Sequence, residues 1–254
     1  MITSASKIKL FKSCRRAYEF RYVYDLRPVE TAEALQTGSN YHALIEELYN
    51  DEEAYLFTHA DDYSKEKAMA TAYKKYIYPE FKVKSTEEWH QARIGKHALV
   101  GRVDGIAEDG LLVEHKTTSQ EITEEYEYDL QWDEQILAYM YLTGSRSVYY
   151  TVIRKPTIRQ KKNETDEEFY NRMVAWYDED TDKKIRLLKI SRTDEEIQQF
   201  AENFKTICSE MERGVIYRNP SYCNHWGRKC EYASICLNYD PDQEYVGFVK
   251  GEEK

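Results

Sequence analysis

Two carboxylates and a lysine stand where strand geometry can bring them together. Asp104 closes the run Gly101-Arg102-Val103-Asp104, and ten residues later comes Glu114-His115-Lys116-Thr117. The pattern Asp–x9–Glu–x–Lys crosses two apolar stretches, Leu99-Val100 and Leu111-Leu112-Val113, with a turn signal at Asp109-Gly110 between them. Side chains alternate along a strand, so Glu114 and Lys116 share a face and His115 points to the other. Carboxylate oxygens suit hard divalent ions such as Mg2+ or Mn2+. The lysine can position or help deprotonate an attacking water, or hold a phosphate. Together they are the equipment for hydrolysing a phosphodiester. Asp104 joins that face only if the pairing sets 104 against 114 and 107 against 111. Glu108-Asp109-Gly110 is then a three-residue loop with Gly110 in a left-handed conformation. A two-residue Asp109-Gly110 turn would pair 108 with 111 and put Asp104 on the wrong face.

Other elements must carry this hairpin. Residues 6–24 have a mainly helical apolar period. A second helix is expected to open at Gly38-Ser39-Asn40, with Tyr41, Leu44, Ile45, Leu48 and Tyr49 on one face, and a third to span 63–78 and stop at Pro79. Residues 89–118 read as antiparallel strands, with turns at Gly95-Lys96 and Asp109-Gly110. Helix is expected over 130–142, 163–178 and 194–213, and strand over 147–154 and 184–190. The order gives an α/β class: a mixed central β-sheet flanked by helices, with an N-terminal helical region and a cysteine-rich C-terminal segment. One domain, 1–254, is expected: helical region 1–88, sheet core 89–155, insertion 156–182, strand and long helix 183–215, tail 216–254. His42 sits at the edge of the second helix's apolar stripe, with Glu46 one turn on, and is a nitrogen ligand that would favour Mn2+ alongside Mg2+. Gln131, Gln135 and Tyr139 fall at i, i+4 and i+8, a stripe able to contact a DNA backbone beside the metal.

The chain has 254 residues, is 32% charged and carries a net charge of −10. Its mean hydropathy is −0.79. It is nonetheless 14% aromatic, with 23 tyrosines, which argues for a folded core. No apolar run approaches the ~18 residues of a membrane span. The first residues lack the pattern of a signal peptide, so a soluble, intracellular protein is expected. The acidic balance counts against wholesale nucleic-acid binding, yet basic patches can act locally. Arg15 and Arg16 belong to one such patch with Lys7, Lys9, Lys12 and Arg21; Arg154, Lys155, Arg159, Lys161 and Lys162 form another. Cys14, Cys223, Cys230 and Cys236 offer four thiolates, a set that suits Zn2+ or an iron–sulfur cluster. Cys208 lies among Phe204, Ile207 and Met211 and reads as packing. The tail is expected to pack on the N-terminal helix that holds Cys14.

The ensemble resembles the PD-(D/E)xK nucleases of the RecB-like class, in particular the iron–sulfur exonucleases related to the CRISPR-adaptation nuclease and the AddB nuclease domain. The resemblance is carried by Ser6-Lys7-Ile8-Lys9-Leu10-Phe11-Lys12-Ser13-Cys14-Arg15-Arg16, Gly38-Ser39-Asn40-Tyr41-His42, Gly101-Arg102-Val103-Asp104, Glu114-His115-Lys116-Thr117, Gln135-Ile136-Leu137-Ala138-Tyr139 and Cys230–x5–Cys236, in order from Ser6 to Cys236. It implies metal ligation by His42, Asp104, Glu114 and the His115 main-chain carbonyl. It implies a catalytic role for Lys116 and DNA contact by Gln135 and Tyr139. It also implies a 4Fe–4S cluster on Cys14, Cys223, Cys230 and Cys236. One departure is the spacing of the second and third cysteines, six residues where relatives usually have two. That gap holds His225, which leaves a zinc site open. The expected activity is a metal-dependent DNA exonuclease on single-stranded or frayed ends, alongside recombination, repair or replication proteins. The alternative is a non-catalytic DNA-end-binding or adaptor protein with the same fold and a four-cysteine metal site.

Overall fold

The computed structural model describes residues 1–29, 33–225, 228–240 and 243–251, without the side chains of Ala34, His225 and Arg228. A zinc ligand at 225 therefore lies outside the described residues. In chain order the elements are β1 (Ile2–Thr3), α1 (Ala5–Ser13), α2 (Arg15–Tyr18) with a following π turn (Glu19–Val23), β2 (Leu26–Pro28), α3 (Glu33–Asn50), α4 (Glu52–Thr58), α5 (Lys65–Tyr76), β3 (Val83–Ile94), β4 (His97–Ala107) and β5 (Leu112–Thr118). Then come α6 (Glu124–Asp129), a 3-10 turn (Leu130–Trp132), α7 (Glu134–Thr143), β6 (Ser147–Arg154), α8 (Asp166–Trp176), β7 (Ile185–Ser191), α9 (Asp194–Glu212), α10 (Pro220–Cys223) and three short strands, β8 (Asn224–His225), β9 (Arg228–Lys229) and β10 (Phe248–Lys250). The chain divides into two compact units. The first comprises Met1–Ala32, Gln91–Val100 and Gln199–Lys254; the second comprises Glu33–His90 and Gly101–Gln198.

The second unit holds the expected mixed sheet. β5 pairs in parallel with β6, while β4–β5 and β6–β7 are antiparallel. Helices cover both faces. On one, Tyr41, Ile45, Leu48, Met69 and Tyr73 of α3 and α5 pack with Val113, Ile153 and Ile185. On the other, Ile136 and Met140 of α7 pack with Val103, Leu112, Val148 and Val152. Burying each such side chain contributes about 1.5–3 kcal/mol. Among the described residues no helix is long and apolar enough to cross a membrane.

In the first unit β1 lies parallel to the start of β4, Ile2 beside Ala98 and Thr3 beside Leu99. β2 pairs with β10. The single helix expected over 6–24 is broken. Cys14 takes extended backbone (φ −159°, ψ 113°), and helix resumes at Arg15. The break buries Cys14 to 6% exposure in a cluster with Ala17, Phe20, Leu26, Tyr232 and Ile235.

Other boundaries move for identifiable reasons. α3 does not open at Gly38 but runs through it from Glu33. A Cβ at Gly38 would stand 3.2 Å from Thr117 Oγ1, so the glycine serves close approach of helix to strand rather than a helix start. The third helix begins later than expected, where the Ser64 hydroxyl accepts from Lys67 N. The helix expected over 130–142 is interrupted at Asp133, whose extended backbone and side chain cap α7. Gln131 thus lies on the 3-10 turn, and the stripe shortens to Gln135 and Tyr139.

The β4–β5 hairpin takes the three-residue register. Gly105 faces Val113 and Ile106 faces Leu112, which sets 107 against 111; the ladder ends at Gly105–Val113, and the His115 amide donates to the Asp104 side chain, so the expected 104–114 rung is not formed. Ala107 N donates to Leu111 O, and Gly110 N to Ala107 O. Gly110 has φ 84°, and a Cβ there would meet nothing within 4 Å. The cost of a side chain is therefore in the backbone. Gly110→Val is expected to lower stability by about 1–3 kcal/mol in urea unfolding. Gly110→Asn should lose clearly less, because asparagine tolerates the left-handed region. Equal losses would point to a contact instead.

Candidate active site

Strand parity and one helix build the site within the second unit. Asp104 stands on β4 just past the last rung of the hairpin, on the side of His42 of α3, while Glu114 and, two residues on, Lys116 point to the side of α7. Lys116 Nζ donates to Glu114 Oε1, and to Gln135 Oε1 at 3.0 Å. Gln135 Nε2 in turn donates to the Tyr139 hydroxyl at 2.8 Å. Asp133 caps α7 through the Gln135 amide at 3.0 Å and so fixes the turn that presents Gln135. Asp104 Oδ2 accepts from the His115 amide at 2.8 Å, and His42 Nδ1 approaches the same oxygen at 3.6 Å.

His115 turns its ring away, as parity requires. The ring packs on Tyr73 and Tyr49, with centroids 5.3 and 6.3 Å away, and Nδ1 lies 2.7 Å from Thr151 Oγ1. Burial pushes its pKa well below the ordinary value, so the imidazole is neutral. Only its main chain faces the carboxylates, where it also hydrogen-bonds His42.

Burial dominates the electrostatics. It raises the Asp104 carboxyl against the pull of Lys116, and raises Glu114 with help from the Asp104 charge. Burial also works against the Lys116 ammonium, but the two carboxylates overcome it and hold its pKa above the usual lysine value. His42 is lowered by burial, with Glu114 opposing. Glu114 is 2% exposed, and its Oε2 has no hydrogen-bond partner. An orphaned buried carboxylate oxygen is costly unless a proton or cation reaches it. Carboxylates, a main-chain carbonyl and one imidazole form a donor set that fits Mg2+ or Mn2+.

Among the described residues one group of three brings metal-binding atoms within 4.8 Å of one another: His42, Asp104 and Glu87. Glu87 belongs to none of the sequence motifs. Strand reading that starts at Trp89 stops short of it, whereas β3 begins at Val83. Counted back from the Gly95-Lys96 turn, position 87 falls opposite 104, and that parity is the signal that could have found it.

The remaining candidates lie in the first unit. Arg15 pairs with Glu210 and stacks on Phe11 and Tyr217. Arg16 pairs with Glu19 and stacks on Phe20 and Tyr239. Cys230 and Cys236 pack against the cluster that buries Cys14. Cys223 O accepts from Cys230 N at 3.0 Å, and Asn219 N donates to Cys14 Sγ at 3.5 Å. Cys208 is fully buried on α9, in keeping with a packing role.

The raised carboxyls set a pH dependence. Each binds a proton more readily folded than unfolded. Metal-free stability from this pair should therefore rise as pH falls from neutrality towards the ordinary carboxylate range near ~4, and be lost as pH rises through the raised values. A divalent ion competes with those protons, so Mn2+ affinity should fall over the same interval. Thermal melts in EDTA and in Mn2+ across that range read both trends. Asp104→Asn combined with Glu114→Gln should flatten them. An unchanged pH profile in the double variant would show that other groups set it.

Comparison with known proteins places this geometry. No curated protein matches the chain. Among solved structures, a protein provisionally titled an exonuclease, from Eubacterium rectale, superposes with a TM-score of 0.51 at 9% identity, over 91% of this chain and 86% of that one. An alkaline exonuclease from Laribacter hongkongensis gives a TM-score of 0.37 at 15% identity, over 84% and 88%. A phage-related exonuclease from Haemophilus somnus gives 0.38 at 12%, over 79% and 95%. These likenesses concern the fold. The model of the PD-(D/E)XK nuclease superfamily matches residues 2–237, nearly the whole chain, and the chain belongs to that superfamily.

Proposed function

We propose that this protein is a Mg2+- or Mn2+-dependent deoxyribonuclease that hydrolyses phosphodiester bonds from single-stranded or frayed DNA ends. The observation that carries the reading is the convergence of two buried carboxyls, Asp104 and Glu114, where the hairpin ladder ends, with Glu114 Oε2 unpartnered and Lys116 beside it. Asp104, Glu114 and the His115 carbonyl would hold the metal, with His42 alongside. When bound, the metal would lower the pKa of the attacking water and offset charge developing on the phosphate. Lys116, kept charged by its carboxylate neighbours, orients the water or a phosphate oxygen. Gln135 holds Lys116 in place and donates to Tyr139, which leaves the tyrosine's own proton for a DNA phosphate oxygen. Action at ends is supported by the RecB-like motif order; the Eubacterium rectale protein of like fold also carries exonuclease in its title. Recombination, repair or replication proteins are the partners that suit such an activity.

End-labelled single- and double-stranded DNA, with Mg2+ or Mn2+ and with EDTA, tests the reading. Labelled ends should be released with metal, and covalently closed circles spared. Asp104→Ala, Glu114→Ala and Lys116→Ala should each lower the rate by at least about 10²–10³-fold with circular dichroism unchanged. Cleavage that survives EDTA, or wild-type rates in any variant, would defeat it.

A structural 4Fe–4S cluster on Cys14, Cys223, Cys230 and Cys236 completes the proposal. Its support is the cluster that gathers Cys14, Cys230 and Cys236, the main-chain bond from Cys230 to Cys223, and the N–H···S bond to Cys14. Anaerobically purified protein should be brown, with iron and sulfide in similar amounts. Cys14→Ser and Cys236→Ser should both lose the colour, and Cys208→Ser should keep it. Colourless protein holding zinc would overturn the cluster assignment.

A further inference from the structure

The basic run that leaves the end of β6 has no part in the site described so far. From Arg154 to Lys162 the chain carries five cations and no acid. It starts beside the candidate active site. In the parallel pair β5–β6, Lys116 stands next to Val152 and Thr118 next to Arg154, so the two strands end together. Lys155 continues that edge. Its amide donates to Thr118 O at 2.8 Å and its Nζ to Thr117 Oγ1 at 2.7 Å, one residue beyond Lys116. Ligands of open α/β sheets collect outside the carboxyl ends of the strands, and the run begins there.

The loop that follows is pinned to α8. Arg172 Nε donates to Glu164 Oε1 at 2.6 Å, and Arg172 Nη2 donates to Glu164 Oε2 at 2.7 Å and to Arg159 O at 2.8 Å. Glu164 Oε2 also accepts from Lys161 N at 2.8 Å. Gln160 Nε2 donates to Glu164 O at 3.0 Å and to Asp166 Oδ1 at 2.9 Å. The nearby acids are thereby engaged: Glu164 by Arg172, Asp166 by Gln160, and Glu121 by Arg154 at 3.1 Å. Glu168 closes the capping box of α8, and Glu167 faces Tyr63. The cations are spent less fully. Arg159 and Lys162 are exposed, and among the described residues neither side chain makes an ion pair or hydrogen bond. Lys161, also exposed, adds its charge to the field at Glu164. A fixed loop with unmatched cations suits a polyanion, because little freedom is lost when the two meet.

We infer that the loop 155–162 holds the backbone of a single DNA strand where it leaves the candidate active site, with Arg159 and Lys162 on its phosphates. The inference rests on the nuclease reading for the identity of the strand. Contacts to phosphate set affinity and salt dependence and leave base sequence unread.

Binding of labelled oligothymidylate to the full-length chain in EDTA, followed from low to high salt, tests this without cleavage. Each phosphate contact on a single strand adds about 0.7 to the slope of log affinity against log salt. Arg159→Gln with Lys162→Gln should therefore flatten the slope by about 1.4. Lys84→Gln with Lys189→Gln removes the same charge near the other end of the sheet, where Lys82 O accepts from Glu108 N and Lys189 lies over Tyr149, and should leave the slope as it is. Arg159→Lys with Lys162→Arg keeps the charge and should keep the slope. With metal present, the loop pair should raise KM and keep kcat, because such contacts are alike in the ground and transition states. An unchanged slope in the loop pair, an equal fall in the control pair, or loss of oligouridylate binding with oligothymidylate spared would overturn the assignment. A flattened slope in a protein that cuts no DNA with either metal would keep the loop and remove the nuclease reading. Cleavage with an unchanged slope would do the reverse.

Discussion

One costly feature dominates the second unit, the burial of Glu114 within reach of the Asp104 charge. Two like charges in a poorly solvated place repel each other and have lost their water. Removing an ion from water costs several kcal/mol even after the protein relaxes. Lys116 offsets some of this, through Glu114 Oε1, but leaves the second oxygen unmatched. The site is therefore poised to accept positive charge. Apolar packing on both sheet faces holds the hairpin in a register that the carboxylates alone would not choose.

The support of Lys116 shows how neutral groups refine that balance. Gln135 accepts from the ammonium and donates to Tyr139, so the lysine's direction is tied to α7 and not only to its own strand. The start of α7 depends in turn on the Asp133 cap. A residue that touches no reacting atom thus sets where the ammonium points. His115 contributes in the opposite way. Its ring is spent in the core beside Tyr73 and Thr151, and this anchors the main chain that faces the carboxylates.

Much of this was legible in the sequence because strand parity is strict. A glycine at the third position of a three-residue loop fixes the register, and β4–β5 adopts it; the shared face expected for Asp104 and Glu114 is not kept, because the ladder stops at Gly105–Val113 and Val103 packs on the α7 side, which sends Asp104 towards His42. The ends of α7 and α9 were equally plain, since Gly144 and Gly214 stop them with positive φ. What was hidden depended on tertiary partners. Gly38 looks like a helix start, yet it is a contact with Thr117. Cys14 lies in a helical pattern, yet its backbone is extended and its sulfur accepts from a residue far along the chain. Glu87 carries no motif, and its place beside His42 and Asp104 comes with a left-handed backbone, φ 53°. Local pattern does not encode such a backbone or a distant partner.

The division of the chain has a consequence for the order in which structure can form. Every segment of the second unit has been made once residue 198 is joined. The candidate catalytic residues can therefore be in place while the tail is still missing. The first unit must wait, because the contact between Cys14 and Asn219 spans 205 positions. Closing so long a loop costs chain entropy before any contact offsets it. Until then Cys14 lacks Asn219, Tyr232 and Ile235 as neighbours, so in a growing chain the candidate residues around Lys116 can be set before that cysteine is covered.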